Sequence, residues 1–368
     1  MSRIQLSKPS ITDEEVHAVE QTLRSRWLVY GPENRAFEEE LASFCGKRFA
    51  ATLSSGTAAL HLALLSLPQR PTRILVPSFT FPATANVAQF LPSPPEVYVA
   101  DVDERTFCLP EQTVSAWLAQ HESPALLVHQ FGYPSPIPSA QHALIVSDAA
   151  CAIGVRPALA GSLACLSFHP RKLLTTGEGG AILTDDATLI DAIRQLRAHG
   201  LRAVPGEEVM ELPDAGLNYR LPEVGAAMGR VQLRRLPALI RRHRELAEQY
   251  LHRLKDLPLG FQADHPERIW QTFSVVLPQG IRRKAVRELL SSEGIETQIA
   301  SYGLHRLTAY QHAPRFLSQG PQHELPVCDR LHSQGMALPL HSELSDRDVD
   351  RVCDALQRAL IQPAVRQP

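Results

Sequence analysis

Polar and apolar positions alternate at helical spacing from the start of the chain. "SITDEEVHAVEQTLRSR" opens with Thr12 and Glu15 in capping-box positions. "GPENRAFEEELASFCG" predicts a second helix, begun near Pro32 and stopped at Gly46. The pattern then changes to short runs that are apolar throughout: "RILVPS", "EVYVADVD", "ALLVHQF", "ALIVSDA", "LACLSF" and "GAILTD". These read as strands, and "TAALHLALLSL", "ATANVAQFL" and "TVSAWLAQ" as helices between or before them. Such strands, alternating with helices, predict an α/β fold with a mainly parallel sheet covered on both faces. Ligand sites in such sheets gather at the carboxyl ends of the strands.

Near Pro237 the periodicity shifts again. "ALIRRHRELAEQYLHRL" is a long amphipathic helix, followed by the strand "IWQTFSVVL", the helix "RKAVRELLSSEG" and the capped helix "LSDRDVDRVCDALQRAL". The expected organisation is a large α/β domain over 1–239 and a smaller α+β domain over 240–368, with the long helix as the join. The tail "IQPAVRQP" is expected to fray.

Composition removes several function classes. Of 368 residues, 44% are hydrophobic and 21% charged, as in ordinary globular proteins. A net charge of -2 gives no electrostatic reason to expect nucleic acid or a membrane surface as partner. No apolar run is long enough to span a bilayer, and "MSRIQLSKPS" lacks the apolar core of a signal peptide. Six scattered cysteines without metal-type spacing predict free thiols in a reducing cytoplasm and no metal site.

Four short stretches carry candidate chemistry. "LSSGTAAL" sets Ser55, Gly56 and Thr57 at a helix N-terminus, where free N–H groups hold a phosphate or serve as an ordinary cap. "VSDAAC" puts Asp148 just past an apolar strand, as a turn residue or as the partner of a pyridine nitrogen. "LSFHPRK" carries Ser167 at a strand end and Lys172 five residues on. Lys172 is one of only five lysines, and a lysine amine, unlike a guanidinium, can lose its proton and act as nucleophile or base. "GEGG" lets backbone turn or pack closely. Together they match the needs of pyridoxal phosphate (PLP): an anchored phosphate, a paired ring nitrogen and a lysine for the aldehyde.

With "SSGTAALHLAL", "VPSFTFPATAN", "SDAACAIG", "SFHPRKLLTTGEGGAI" and "GLNYRLPEVGAAMGRVQL" in this order, the chain resembles the DegT/StrS family of sugar aminotransferases over nearly its whole length. The resemblance implies the PLP-dependent transferase fold type I, with a seven-stranded type of sheet between helices. It implies that Lys172 binds the cofactor aldehyde and later moves the proton. Asp148 would pair with the ring nitrogen, Phe81 would stack on the ring, and Gly56, Thr57 and Ser167 would hold the phosphate. Asn218 would reach the phosphate of the other subunit, which implies a homodimer with shared active sites. Arg220 is a candidate for an anionic part of a substrate, and His199, Tyr302 and His305 for contacts to the acceptor.

Two departures stand out. Cys151 occupies a position near the cofactor 3-oxygen where the family usually has His or Gln, so cofactor chemistry could differ. "GYPSPIPSAQHALIVSD" is short and proline-rich where the family usually has a helix, so a loop is expected. The implied reaction is ping-pong transfer of an amino group from L-glutamate or glutamine to a keto sugar, expected to be nucleotide-linked, for surface polysaccharide or a glycosylated metabolite. Three alternatives remain open here. One is a cyclitol ketone as acceptor. Another is PLP-dependent sugar dehydration, against which Lys172 argues because that branch has His there. The last is a regulatory protein on a retired scaffold.

Overall fold

The apolar runs pair into one sheet, in a computed structural model that describes residues 3–139, 144–204, 206, 208–311, 316–319 and 324–366. In chain order the elements are α1 (Asp13–Ser25), α2 (Pro32–Cys45), β1 (Phe49–Leu53), α3 (Gly56–Leu65), β2 (Arg73–Pro77), β3 (Phe79–Thr80), α4 (Ala83–Gln89), β4 (Glu96–Ala100), α5 (Glu111–His121), β5 (Ala125–Val128), β6 (Ile145–Asp148), β7 (Leu163–Ser167) and β8 (Gly180–Thr184). There follow α6 (Ala187–Leu196), α7 (Glu223–Leu254), β9 (Gly260–Phe261), β10 (Phe273–Val276), α8 (Arg283–Ser292), β11 (Gln298–Ile299), β12 (Tyr302–Gly303), α9 (Thr308–Gln311), β13 (Phe316–Gln319), α10 (Pro326–Gln334), β14 (Gly335–Leu338) and α11 (Asp346–Ile361).

The main sheet has the order β1-β8-β7-β6-β5-β2-β4-β13. Neighbours from β7 to β13 are parallel, and β8 is antiparallel to β1 and β7. The mainly parallel sheet is present, with β13 as one strand more than the seven-stranded pattern predicts. Successive residues of a strand face opposite sides. Cys165 and Ile182 therefore join the core under α3, α4 and α6, while Ala164, Leu166, Ala181 and Leu183 join the core under α2 and the start of α7. The capping box at Thr12 and the left-handed stop at Gly46 both form as expected.

A second, antiparallel sheet has the order β11-β14-β10-β9. It packs with α8, α11 and the second half of α7 around Leu246, Tyr250, Phe273, Val352 and Leu356. The expected change at Pro237 lies inside one continuous helix of 32 residues. Proline removes a helical hydrogen bond there, and packing on both sides offsets the loss. Leu233 and Leu236 enter one core, and Leu246 and Tyr250 the other. The proline-rich stretch has no regular element over 133–139, as expected, and residues 140–143 lie outside the described residues. The frayed tail is corrected. Val365 is fully buried, and its carbonyl accepts a bond from the Arg282 N–H at 2.7 Å, so the chain is held through Arg366.

Buried charge fixes the helices against the sheet. The N-cap of α2 is Gly31, which has no side chain to offer. Glu223, at the start of α7, supplies the acceptor instead, taking the N–H groups of Gly31, Glu33 and Asn34 at 2.7, 2.8 and 3.0 Å. Deeper, the Glu38 carboxylate accepts from Arg197 at 2.5 Å and from the Thr52 N–H and hydroxyl at 2.9 Å each. Both side chains of this ion pair are at most 5% exposed. Removing one partner of a buried pair leaves the other charge uncompensated. Glu38→Ala is therefore expected to cost about 3–5 kcal/mol in urea unfolding. Breaking the exposed Lys284–Glu288 pair should cost less than about 1 kcal/mol.

Candidate active site

The chain turns sharply from β1 into α3, and the turn brings the helix N-terminus against β7 and β8. Ser55 caps α3, its hydroxyl accepting the Ala58 N–H at 3.0 Å. A Cβ on Gly56 would lie 2.7 Å from the Ser167 Cβ, and one on Gly180 would lie 2.5 Å from the Ser55 carbonyl carbon. Only residues without a Cβ permit this approach. Gly56, Thr57 and Ser167 thus form one polar cradle at a helix N-terminus, where N–H groups and the helix dipole favour an anion. Thr57 is exposed there.

Asp148 ends β6 and is 6% exposed. Thr84 donates its hydroxyl to one carboxylate oxygen at 2.7 Å, and the Ala150 N–H donates to the other at 3.2 Å. Burial raises the Asp148 pKa above the ordinary value, while Thr84, Ala150 and the nearby Lys172 charge pull against it. Lys172, in the turn after β7, donates from Nζ to the Cys151 Sγ at 3.1 Å. Cys151 is the one cysteine of the six that is not buried. Asp148, Cys151 and Lys172 therefore converge at the carboxyl ends of neighbouring strands. Phe81, just after β3, is 64% exposed. Its ring meets the edge of Tyr302, at 6.2 Å and 66°, and Tyr302 is placed by pairing with Thr80.

The remaining candidates divide. His305 has both ring nitrogens engaged, with the Ser78 hydroxyl at 2.6 Å and Asp329 at 2.8 Å. Its ring ties α10 to the end of β2 and has no nitrogen free for an acceptor. His199 is exposed and sits at a left-handed φ of 68°, where it shapes the turn into the segment that returns at Leu217. Asn218 is exposed and bridges Ala198 through its backbone. Arg220 is half-buried, beside Tyr219, whose hydroxyl lies 3.1 Å from His61 Nδ1. Thr84 was not among the expected residues. Its only sequence signal is a hydroxyl in the first turn of a helix that follows a strand.

These groups fit a phosphorylated pyridine aldehyde. The glycine-permitted cradle suits the phosphate and the uncovered Phe81 face suits a ring. The buried Asp148 carboxylate suits a protonated nitrogen, and the Lys172 amine suits an aldehyde.

Known proteins share the sequence pattern and the fold. Residues 9–357 match the model of the DegT/DnrJ/EryC1/StrS aminotransferase family. The chain is 30% identical to DesI, solved in the presence of its TDP-sugar product, over 98% of this chain and 94% of that one, with a TM-score of 0.84. It is 29% identical to DesV of S. venezuelae over 98% and 100%, with a TM-score of 0.85. A Streptococcus pneumoniae chain described as a sugar aminotransferase, in its PLP form, shares the fold at 23% identity and a TM-score of 0.87 over 98% and 99%.

Two substitutions test the geometry without ligand. Because burial raises the folded pKa of Asp148 above 3.8, its stabilising contribution is present below that value and lost as the pH rises through the folded one. Asp148→Asn keeps an acceptor for Thr84, so it should gain stability over the parent as the pH rises from about 3 to about 7, by thermal melting without cofactor. Equal pH profiles would contradict this. Gly56→Ala should cost about 1–3 kcal/mol in urea unfolding, because Ser167 must move aside.

Proposed function

The chain belongs to the PLP-dependent DegT/DnrJ/EryC1/StrS aminotransferase family, and on that premise we propose that it moves an amino group from L-glutamate, or glutamine, to the keto group of a nucleotide-linked sugar. The product is an amino sugar, destined for surface polysaccharide or a glycosylated metabolite made in the cytoplasm. The observation that carries the reading is the convergence of a buried carboxylate, Asp148, with the amine of Lys172 beyond the next strand.

Bound PLP supplies an electron sink for the carbon that loses a proton. In this reading Asp148 keeps the ring nitrogen protonated, and Thr84 holds that carboxylate in line. Lys172 would hold the aldehyde, and its amine would move a proton between the substrate carbon and the cofactor carbon. Phe81 covers one ring face. Gly56, Thr57 and Ser167 would hold the phosphate, and the Cys151 thiol would serve the 3-oxygen as a weak hydrogen-bonding group.

The active unit is a homodimer in which Asn218 reaches the partner's phosphate site. Supporting this, Asn218 lies on a hairpin bridged at Ala198 and between Arg202 and Glu211, which exposes Val209, Met210 and Leu212 at 78%, 53% and 62%. Such apolar exposure is suited to a protein interface. Arg220 meets an anionic part of a substrate, and Tyr302 and His199 meet the acceptor.

The test is spectroscopic. Purified protein with PLP should show a visible absorption band that Lys172→Ala lacks, and L-glutamate should replace the band with an ultraviolet one. A nucleotide-linked keto sugar should then restore it. Glutamate without effect would overturn the donor. A cyclitol ketone restoring the band in place of the sugar would overturn the acceptor.

A further inference from the structure

Lys172 lines a second space, away from the cradle. It is a cavity of about 20 Å³ bounded also by Lys8, Arg171, His243, His341 and three serines. None of the lining residues is acidic, and Lys8 on its wall is paired with Glu343. His341 is 7% exposed, and neither of its ring nitrogens has a hydrogen-bond partner among the described residues. Burial pushes the His341 pKa below the ordinary imidazole value, with Lys8 adding to the push and Glu343, Asp348 and the Gln5 backbone opposing it. His243 differs, since its Nδ1 donates to the Trp270 carbonyl at 2.7 Å. A buried polar group without a partner carries a desolvation cost that a ligand in the cavity would relieve.

The occupant follows from charge, size and place. Arg171 and Lys172, the serine hydroxyls and an imidazole without a hydrogen-bond partner among the described residues suit an anion. A space of this volume takes one water-sized group, hence one oxygen of a carboxylate seated at the mouth, and excludes a sugar diphosphate. Place decides which carboxylate. In amino transfer the donor's amine must take the position of the Lys172 amine, and its α-carboxylate is bonded to the adjoining carbon. That carboxylate must lie beside Lys172, as this cavity does.

We propose that the cavity between Lys172 and His341 is the subsite for the α-carboxylate of the amino-acid donor, and that His341 is the residue that selects an α-amino acid over a simple amine. The inference rests on the aminotransferase reading and deepens it by assigning donor recognition. N–H of His341 donates to the carboxylate, and the segment carrying Ser7 and Lys8 forms the outer wall.

Two arms test it. In the first, PLP-loaded protein is titrated with L-glutamate. His341→Ala should raise the half-maximal concentration by about 10- to 100-fold, the loss expected for one hydrogen bond to a charged group. PLP affinity should not change, and His341→Gln, which retains a donor, should recover part of the loss. In the second, cofactor-free protein labelled with 15N at histidine is titrated with 2-oxoglutarate, the His341 ring being assigned by its absence in the Gln variant. Its resonances should shift with 2-oxoglutarate and not with inorganic phosphate at the same concentration. Equal shifts with phosphate would make the cavity a general anion site and overturn donor selection. No shift, with unchanged titrations in both variants, would make the ring a packing group. Glutamate without spectral effect on the parent, beside an intact shift with 2-oxoglutarate, would sink the transfer reaction and leave the carboxylate subsite standing.

Discussion

The contact between the N-terminus of α3 and the ends of β7 and β8 is the constraint on which the site depends. It exists because Gly56 and Gly180 have no Cβ, each at a place where one would lie under 3 Å from its neighbour. The approach sets free N–H groups beside Ser167. It also holds β7 where the turn beyond it returns Lys172 to Cys151, three residues past the end of β6. Side chains at either glycine would move the helix outward, and the cradle would open. The parallel order of β5, β6 and β7 then aligns the remaining strand ends on the same edge of the sheet.

Charge is distributed inside this frame in two ways. Structural charges are paired: Glu38 with Arg197, and Glu15 with Arg235 and Gln232. Arg268, fully buried, spreads its guanidinium over the Trp270 ring at 3.3 Å and donates to the carbonyl of Ala263 and the amide of Gln262. The groups around Lys172 are not treated so. Asp148 is buried with a hydroxyl and one N–H as its hydrogen-bond donors among the described residues, and burial raises its pKa against their pull and that of Lys172. His341 has no partner at all among the described residues. Proteins tolerate such costs where a ligand relieves them.

The central sheet was legible because its strands are short, apolar and bounded by turn residues. β1 was not. "FAATL" is rich in alanine and holds no Val or Ile, so only its pairing with β8 makes it a strand. Pro237 looked like a boundary because local propensity says so, yet packing on both halves of α7 outweighs one lost bond. Lys172 and Asp148 stood out through motif and position. Thr84 and His341 did not, since their significance lies in contacts across the fold. His305 shows the converse, a suggestive residue whose ring is consumed in holding Ser78 and Asp329 together.

The central claim is that one amine among five is built to receive the cofactor. The most direct measurement is to load the protein with PLP, fix the adduct with borohydride and map the labelled peptide by mass spectrometry. The account predicts a single label on Lys172, with Lys8, Lys47, Lys255 and Lys284 unmodified. A label spread over those four, or absent from Lys172, would contradict it.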